Sequence, residues 1–126
     1  MAIYNPTNLA SLSQAVDLSE TALGSALTIG ATGVSLADSV TDQVVGFLNS
    51  RSNAPTVGLP VSVQVAGVVA SAIAHGAVAA GEAVGPSATA GRLAPSPSTA
   101  AGALARVGIA LTAAQAAGDT FTVRIV

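Results

Sequence analysis

Thr120-Phe-Thr-Val-Arg-Ile-Val126 alternates Phe121, Val123 and Ile125 with Thr120, Thr122 and Arg124. Apolar side chains at every second position line one face of an extended chain, so the segment reads as a half-buried β-strand. Val61, Val63 and Val65 alternate with Ser62 and Gln64 in the same way. Between these two segments, Arg106-Val-Gly-Ile-Ala-Leu111 fits a third strand, and Val68 to Ile73, Glu82 to Val84 and Arg92 to Ala94 fit shorter ones. Gly85-Pro86, Pro95-Ser-Pro97 and Gly118-Asp119 punctuate them as turns. Many short strands broken at short intervals indicate a mainly β protein, a small barrel or sandwich. The runs Ala77 to Ala80 and Ala113 to Ala117 are each about one helical turn long and flanked by glycine, too short to form helices unaided.

Upstream of Asn53-Ala-Pro55 and Gly58-Leu-Pro60 the composition changes: four of the six carboxylates and two of the three aromatic residues lie there. Residues 1–57 are therefore expected to form a less regular N-terminal arm or extension, and residues 58–126 the β-rich domain. Leu9, Leu12 and Val16 have weak helical spacing, and Val40, Val44, Phe47 and Leu48 a clearer one behind Ser39-x-x-Asp42, a capping-box pattern. One or two short helices are expected, the better one near 39–49. Thr28 to Leu36 reads as extended pieces around glycine turns.

Composition excludes several function classes. Four arginines and no lysine face six carboxylates, a net charge of -2, which argues against a phosphate-backbone binder. Cysteine is absent, so there is no disulfide, thiolate metal site or cysteine nucleophile. The apolar stretch Val65 to Ala80 is interrupted by Gly67, Ser71, His75 and Gly76 and falls short of the roughly 20 residues of a membrane span. The N-terminus lacks the basic region and apolar core of a secretory signal, so cytoplasmic synthesis is expected. Alanine contributes 28 residues, and a core of Ala and Val buries little area per residue. An isolated chain is expected to be marginal and to gain stability by assembly.

No residue set points to catalysis. His75 is the sole histidine and has no neighbouring acid or nucleophile elbow in sequence. Gly76 to Gly81 has phosphate-loop spacing, but Glu82-Ala83 stands where Lys-Ser/Thr is required. Asp38 and Asp42 suit a cap better than a cation site, and Glu82 and Asp119, each following a glycine, suit bonds to local backbone. The expectation is a non-enzyme with no cofactor and no metal. Arginine in a charge-poor chain often anchors interfaces through forked hydrogen bonds. Arg51, Arg92 and Arg106, with the apolar Ile3, Tyr4, Leu9, Leu12 and Phe47, form the candidate interface set.

From about Val61 onward, Val63-Gln-Val-Ala-Gly67, Gly81-Glu-Ala-Val84, Gly91-Arg-Leu-Ala-Pro95 and the closing run Val107 to Ile125 follow one another in an order that resembles the capsid cement, or decoration, proteins of tailed bacteriophages. The closing run, with a strand, an alanine turn and Gly-Asp leading into a final alternating strand, is its most specific part. The resemblance implies a β-rich homotrimer on the outer surface of a phage head, bound to the major capsid protein and clamping neighbouring subunits, without nucleic acid or membrane as partner. Residues 1–60 lie outside it and would then reach an adjacent subunit. Another virion component, such as a tail or minor capsid protein, is the alternative, as is a host-surface binding module. Three aromatic residues leave the module few stacking platforms.

Overall fold

The computed structural model describes residues 8–51, 56–95 and 107–126. Ten strands occur among them: β1 (Leu9–Ser13), β2 (Ala26–Gly30), β3 (Gly33–Leu36), β4 (Val44–Ser50), β5 (Pro60–Gln64), β6 (Val68–Ile73), β7 (Ala83–Pro86), β8 (Leu93–Pro95), β9 (Gly108–Ala110) and β10 (Thr120–Ile125). They form two five-stranded antiparallel sheets, in the orders β1-β5-β4-β2-β3 and β6-β10-β9-β7-β8. A parallel bridge between Gln14 and Val34 joins the two edges of the first sheet, and one between Ala74 and Leu93 joins those of the second. Each sheet therefore curls into a small barrel, barrel A and barrel B, and its edges pair with each other instead of with a foreign strand.

The mainly β expectation holds, and the alternating segments are strands as read: Phe121 and Val123 face a core, as do Val61 and Val63. The helix expected over 39–49 is not there. Ser39 to Asp42 forms the capping contacts that its pattern signals, with the Asp42 carboxylate accepting from the Asp38 and Ser39 amides at 3.0 and 3.2 Å. The turn ends there, and Val44–Ser50 runs extended as β4. The β-branched pair Val44-Val45 favours a strand. Gly46 is held there by close approach: an added Cβ would stand 2.5 Å from the Gln64 carbonyl oxygen and 2.6 Å from Val63 Cγ1. Phe47 and Leu48 are both buried but in different clusters, which a strand permits because adjacent side chains point to opposite faces. The helical spacing of Leu9, Leu12 and Val16 likewise gives way to β1, paired with β5. The described residues contain no α-helix.

Residues 9–50 supply four strands of barrel A, and the fifth, β5, comes from beyond the division expected at 57 and 58. β5 lies between β1 and β4, with Leu12 opposite Val61 and Leu48 opposite Val63. The interior of barrel A is built from Leu18, Leu27, Val34, Leu48, Val61 and Val63, with Leu12 packed against them. Barrel B is lined by Val69, Ala72, Ala74, Val78, Val84, Leu93, Val107, Ala110, Ala114, Phe121 and Val123. Where barrel A sets Leu12 against Val61, barrel B sets Ala72 against Phe121, so one large ring offsets a small partner.

The two barrels are copies of one unit. Numbering strands from one to five within each, the sheet orders are identical. Connecting hydrogen bonds repeat as well: Gly58 N–H donates to the Gln14 carbonyl at 2.9 Å and Gly118 N–H to that of Ala74 at 2.8 Å. Gln14 N–H donates to Leu59 and Ala74 N–H to Asp119; Gly24 N–H donates to Leu48 and Gly81 N–H to Ala110. Gly24 and Gly81 share a left-handed φ, +90° and +89°. Even the steric need for glycine recurs: a Cβ on Gly108 would meet the Arg124 carbonyl and Val123 Cγ1, as one on Gly46 would meet those of Gln64 and Val63.

Candidate functional site

The residues with acid-base or metal-binding chemistry serve local structure. The Glu82 carboxylate accepts from the Ala79 amide at 2.7 Å, and that of Asp119 from the Gln115 and Ala116 amides at 3.2 and 3.1 Å. Both therefore tie down a turn before a strand, as their place after glycine suggests. His75 is exposed, with Nδ1 2.8 Å from Thr89 Oγ1, and among the described residues no carboxylate bonds to this pair. Asp17 accepts from the hydroxyl and amide of Ser19, which hold its carboxyl below the ordinary aspartate range. Among the described residues no three histidine, aspartate or glutamate side chains gather where they could hold a metal ion. Nor is any helix there long and apolar enough to cross a membrane.

What remains is surface, and the residues singled out in the sequence fall at different places on it. Ile3, Tyr4 and Arg106 lie outside the described residues. Leu9, on β1, is 47% exposed, while Leu12 turns toward the interior of barrel A. Phe47 is fully buried in the cluster that continues into barrel B, so its contact is made within the chain. Arg51 is exposed and donates to the Thr21 carbonyl at 3.3 Å. Arg92 is half-buried, its guanidinium lying beside Gly118, next to the bridge between Ala74 and Leu93. Of the described members, Leu12 and Phe47 are committed to the interior, which leaves Leu9, Arg51 and Arg92 at the surface.

Sequence reasoning passed over the seam between the barrels. Phe47, Ala26 and Ala37 of barrel A join one continuous apolar cluster with the interior of barrel B. Two backbone hydrogen bonds stitch the seam: Ala26 N–H donates to the Gly91 carbonyl at 2.9 Å and Gly91 N–H to that of Ala37 at 2.8 Å. Small residues make the approach possible, since a Cβ on Gly24 would overlap the Ser71 carbonyl and one on Gly91 would sit 3.1 Å from Ser25 Cβ. The repeated topology has a signal in the chain: Gly58 and Gly118, Val61 and Phe121, and Val63 and Val123 stand sixty positions apart, and Val-Gly occurs at 45–46 and 107–108.

Other apolar residues remain in solvent, among them Leu9, Ile29 and Val68 at 47, 50 and 51% exposure. Leu9 opposes Gln64 on β5, and Val68 opposes Arg124 on β10, so they hold the same place in the two barrels. Comparison of the chain with protein-family models, with curated proteins and with solved structures finds no match.

Proposed function

We propose that this protein is a structural virion component, a capsid cement protein that coats the outside of a phage head and stabilises contacts between major capsid subunits. The observation that carries the reading is the ordered run from Gly81-Glu-Ala-Val84 through Gly91-Arg-Leu-Ala-Pro95 to Val107–Ile125, which resembles that family. It is supported by a charge-poor β scaffold in which the Asp17, Asp42, Glu82 and Asp119 carboxylates are occupied with local turns and whose surface leaves apolar side chains for contact with other molecules. In this reading the protein works by adhesion: its partners are the major capsid protein and further copies of itself, as a homotrimer, and it carries out no catalysis. Purified protein added to heads stripped of decoration is expected to bind saturably, at a copy number that follows shell symmetry, and to raise the temperature at which the heads disrupt. Absence of binding, with binding to phage tails instead, would favour a tail component.

A further inference from the structure

The seam between the barrels is heterologous. Barrel A contributes the face around Gly24, Ser25, Ala26 and Phe47, all buried. Barrel B contributes a different face, around Ser71 and the β7–β8 hairpin, where Gly85, Pro86, Ser87 and Gly91 are buried. Strand matching carries most of each face over to the other barrel, except Gly91, which has no counterpart in the two-residue β2–β3 turn. The repeated hydrogen bonds match Gly24, Ser25 and Leu48 to Gly81, Glu82 and Ala110, and hence Ala26 and Phe47 to Ala83 and Ile109. On barrel B Gly81 is exposed, and Glu82, Ala83 and Ile109 are only half-buried. The β2–β3 and β7–β8 registers match Ile29, opposite Val34, to Pro86, opposite Leu93. Pro86 is buried, whereas Ile29 is 50% exposed and Gly30 beside it is exposed.

The structure thus shows one interface made, while the matched positions around Gly81 on barrel B and Ile29 on barrel A are left partly or wholly in solvent. An interface between unlike faces of like units propagates, closing into a ring or running on as a filament. We infer that this chain associates with further copies of itself head to tail, the Ile29 face of barrel A in one copy docking on the Gly81 face of barrel B in the next. The barrel-to-barrel seam inside the chain is then continued between chains. The β2–β3 turn has two residues and the β7–β8 turn six, which centres the contact on Ile29. In a three-copy ring, six barrels follow one another through one repeated contact. This deepens the homo-oligomer part of the proposed function and rests on it, but involves no shell.

Sedimentation equilibrium of the purified full chain tests the inference. Wild type is expected at a mass of several chains. Ile29→Arg disables one face and Gly81→Ala the other; nothing lies within 4 Å of a Cβ at Gly81 within the chain, whereas the matching Cβ at Gly24 would strike the opposing barrel. Each variant alone is expected at the mass of one chain, with an unchanged far-ultraviolet spectrum. A mixture of the two is expected to give pairs and nothing larger, because only one intact junction can form. Ile109→Arg replaces Gly81→Ala if the latter does not fold. A monomeric wild type, single variants that keep the wild-type mass, or a mixture that stays monomeric overturns the inference. Binding of wild type to stripped heads, measured separately, bears on the capsid reading alone.

Discussion

Phe121 fills the interior of barrel B with one ring. It is the sole aromatic side chain among the residues lining barrel B, where its cross-strand partner is Ala72, so no neighbour can swell to replace it. Phe121→Ala is expected to cost about 3 to 5 kcal/mol, the cost of a buried ring plus the cavity left behind. Chemical denaturation measures it, and a loss under 1 kcal/mol would place the ring outside the core. His75→Ala, by contrast, removes only an exposed contact to Thr89, and stability and head binding are both expected to stay at wild-type levels. Gly24 and Gly81 separate strain from collision. Both have φ near +90°, so alanine at either incurs about 1 to 2 kcal/mol of backbone strain. Within one chain, only at Gly24 does the new Cβ also meet a backbone carbonyl, that of Ser71, so thermal unfolding should show Gly24→Ala markedly less stable than Gly81→Ala. Asp17 titrates on the surface with its pKa lowered by Ser19. Its small contribution is present above the unfolded-state pKa and lost as the pH falls through the folded one. Ser19→Ala should move its carboxyl resonance midpoint upward.

At the scale of elements, alternation was readable wherever one face meets a core and the other meets water. Val61 to Val65 and Phe121 to Ile125 are such segments, and their period of two survives folding. β4 was not readable because both of its faces are covered: Leu48 fills barrel A and Phe47 enters the seam. A segment buried on both sides loses its alternation, and Val40, Val44, Phe47 and Leu48 then match a helical stripe by spacing alone. The local signal at Ser39 and Asp42 was real but specified a turn. Turn acids at Glu82 and Asp119 were legible because their bonds are local in sequence, whereas the seam joins residues far apart in the chain and had no local pattern. Strand β1 shows what such long-range pairing implies. It lies between β5 and the bridge to β3, and Gln14 just after it donates through its amide to the Thr56 carbonyl and accepts from the Leu18 amide. Deleting residues 1–15 is therefore expected to open barrel A and expose the β5 edge, giving early melting and aggregation. A truncated protein with the wild-type melting temperature would show that β1 is dispensable.

For the whole molecule, the question is how a leucine-lined barrel and an alanine-lined one hold together as one stable body. Barrel B has Ala72, Ala74, Ala110 and Ala114 where larger side chains would bury more area, so its own interior contributes less than that of the leucine-richer barrel A. The seam offsets this by extending barrel B's apolar cluster through Ala26, Ala37 and Phe47 of its neighbour. Stability of repeated units is the sum of each unit's own term and the term between neighbours, and cooperativity depends on the second. Phe47 is the largest side chain in that term and is fully buried. Phe47→Ala is expected to remove about 3 to 5 kcal/mol and, because the loss falls on the coupling, to divide one unfolding transition into two, barrel B melting first. Calorimetry would show two heat-absorption peaks in place of one, and hydrogen exchange would show β6 to β10 opening at lower free energy than β1 to β5. A single transition merely shifted downward would mean that the two backbone bonds at Gly91 couple the barrels without the ring.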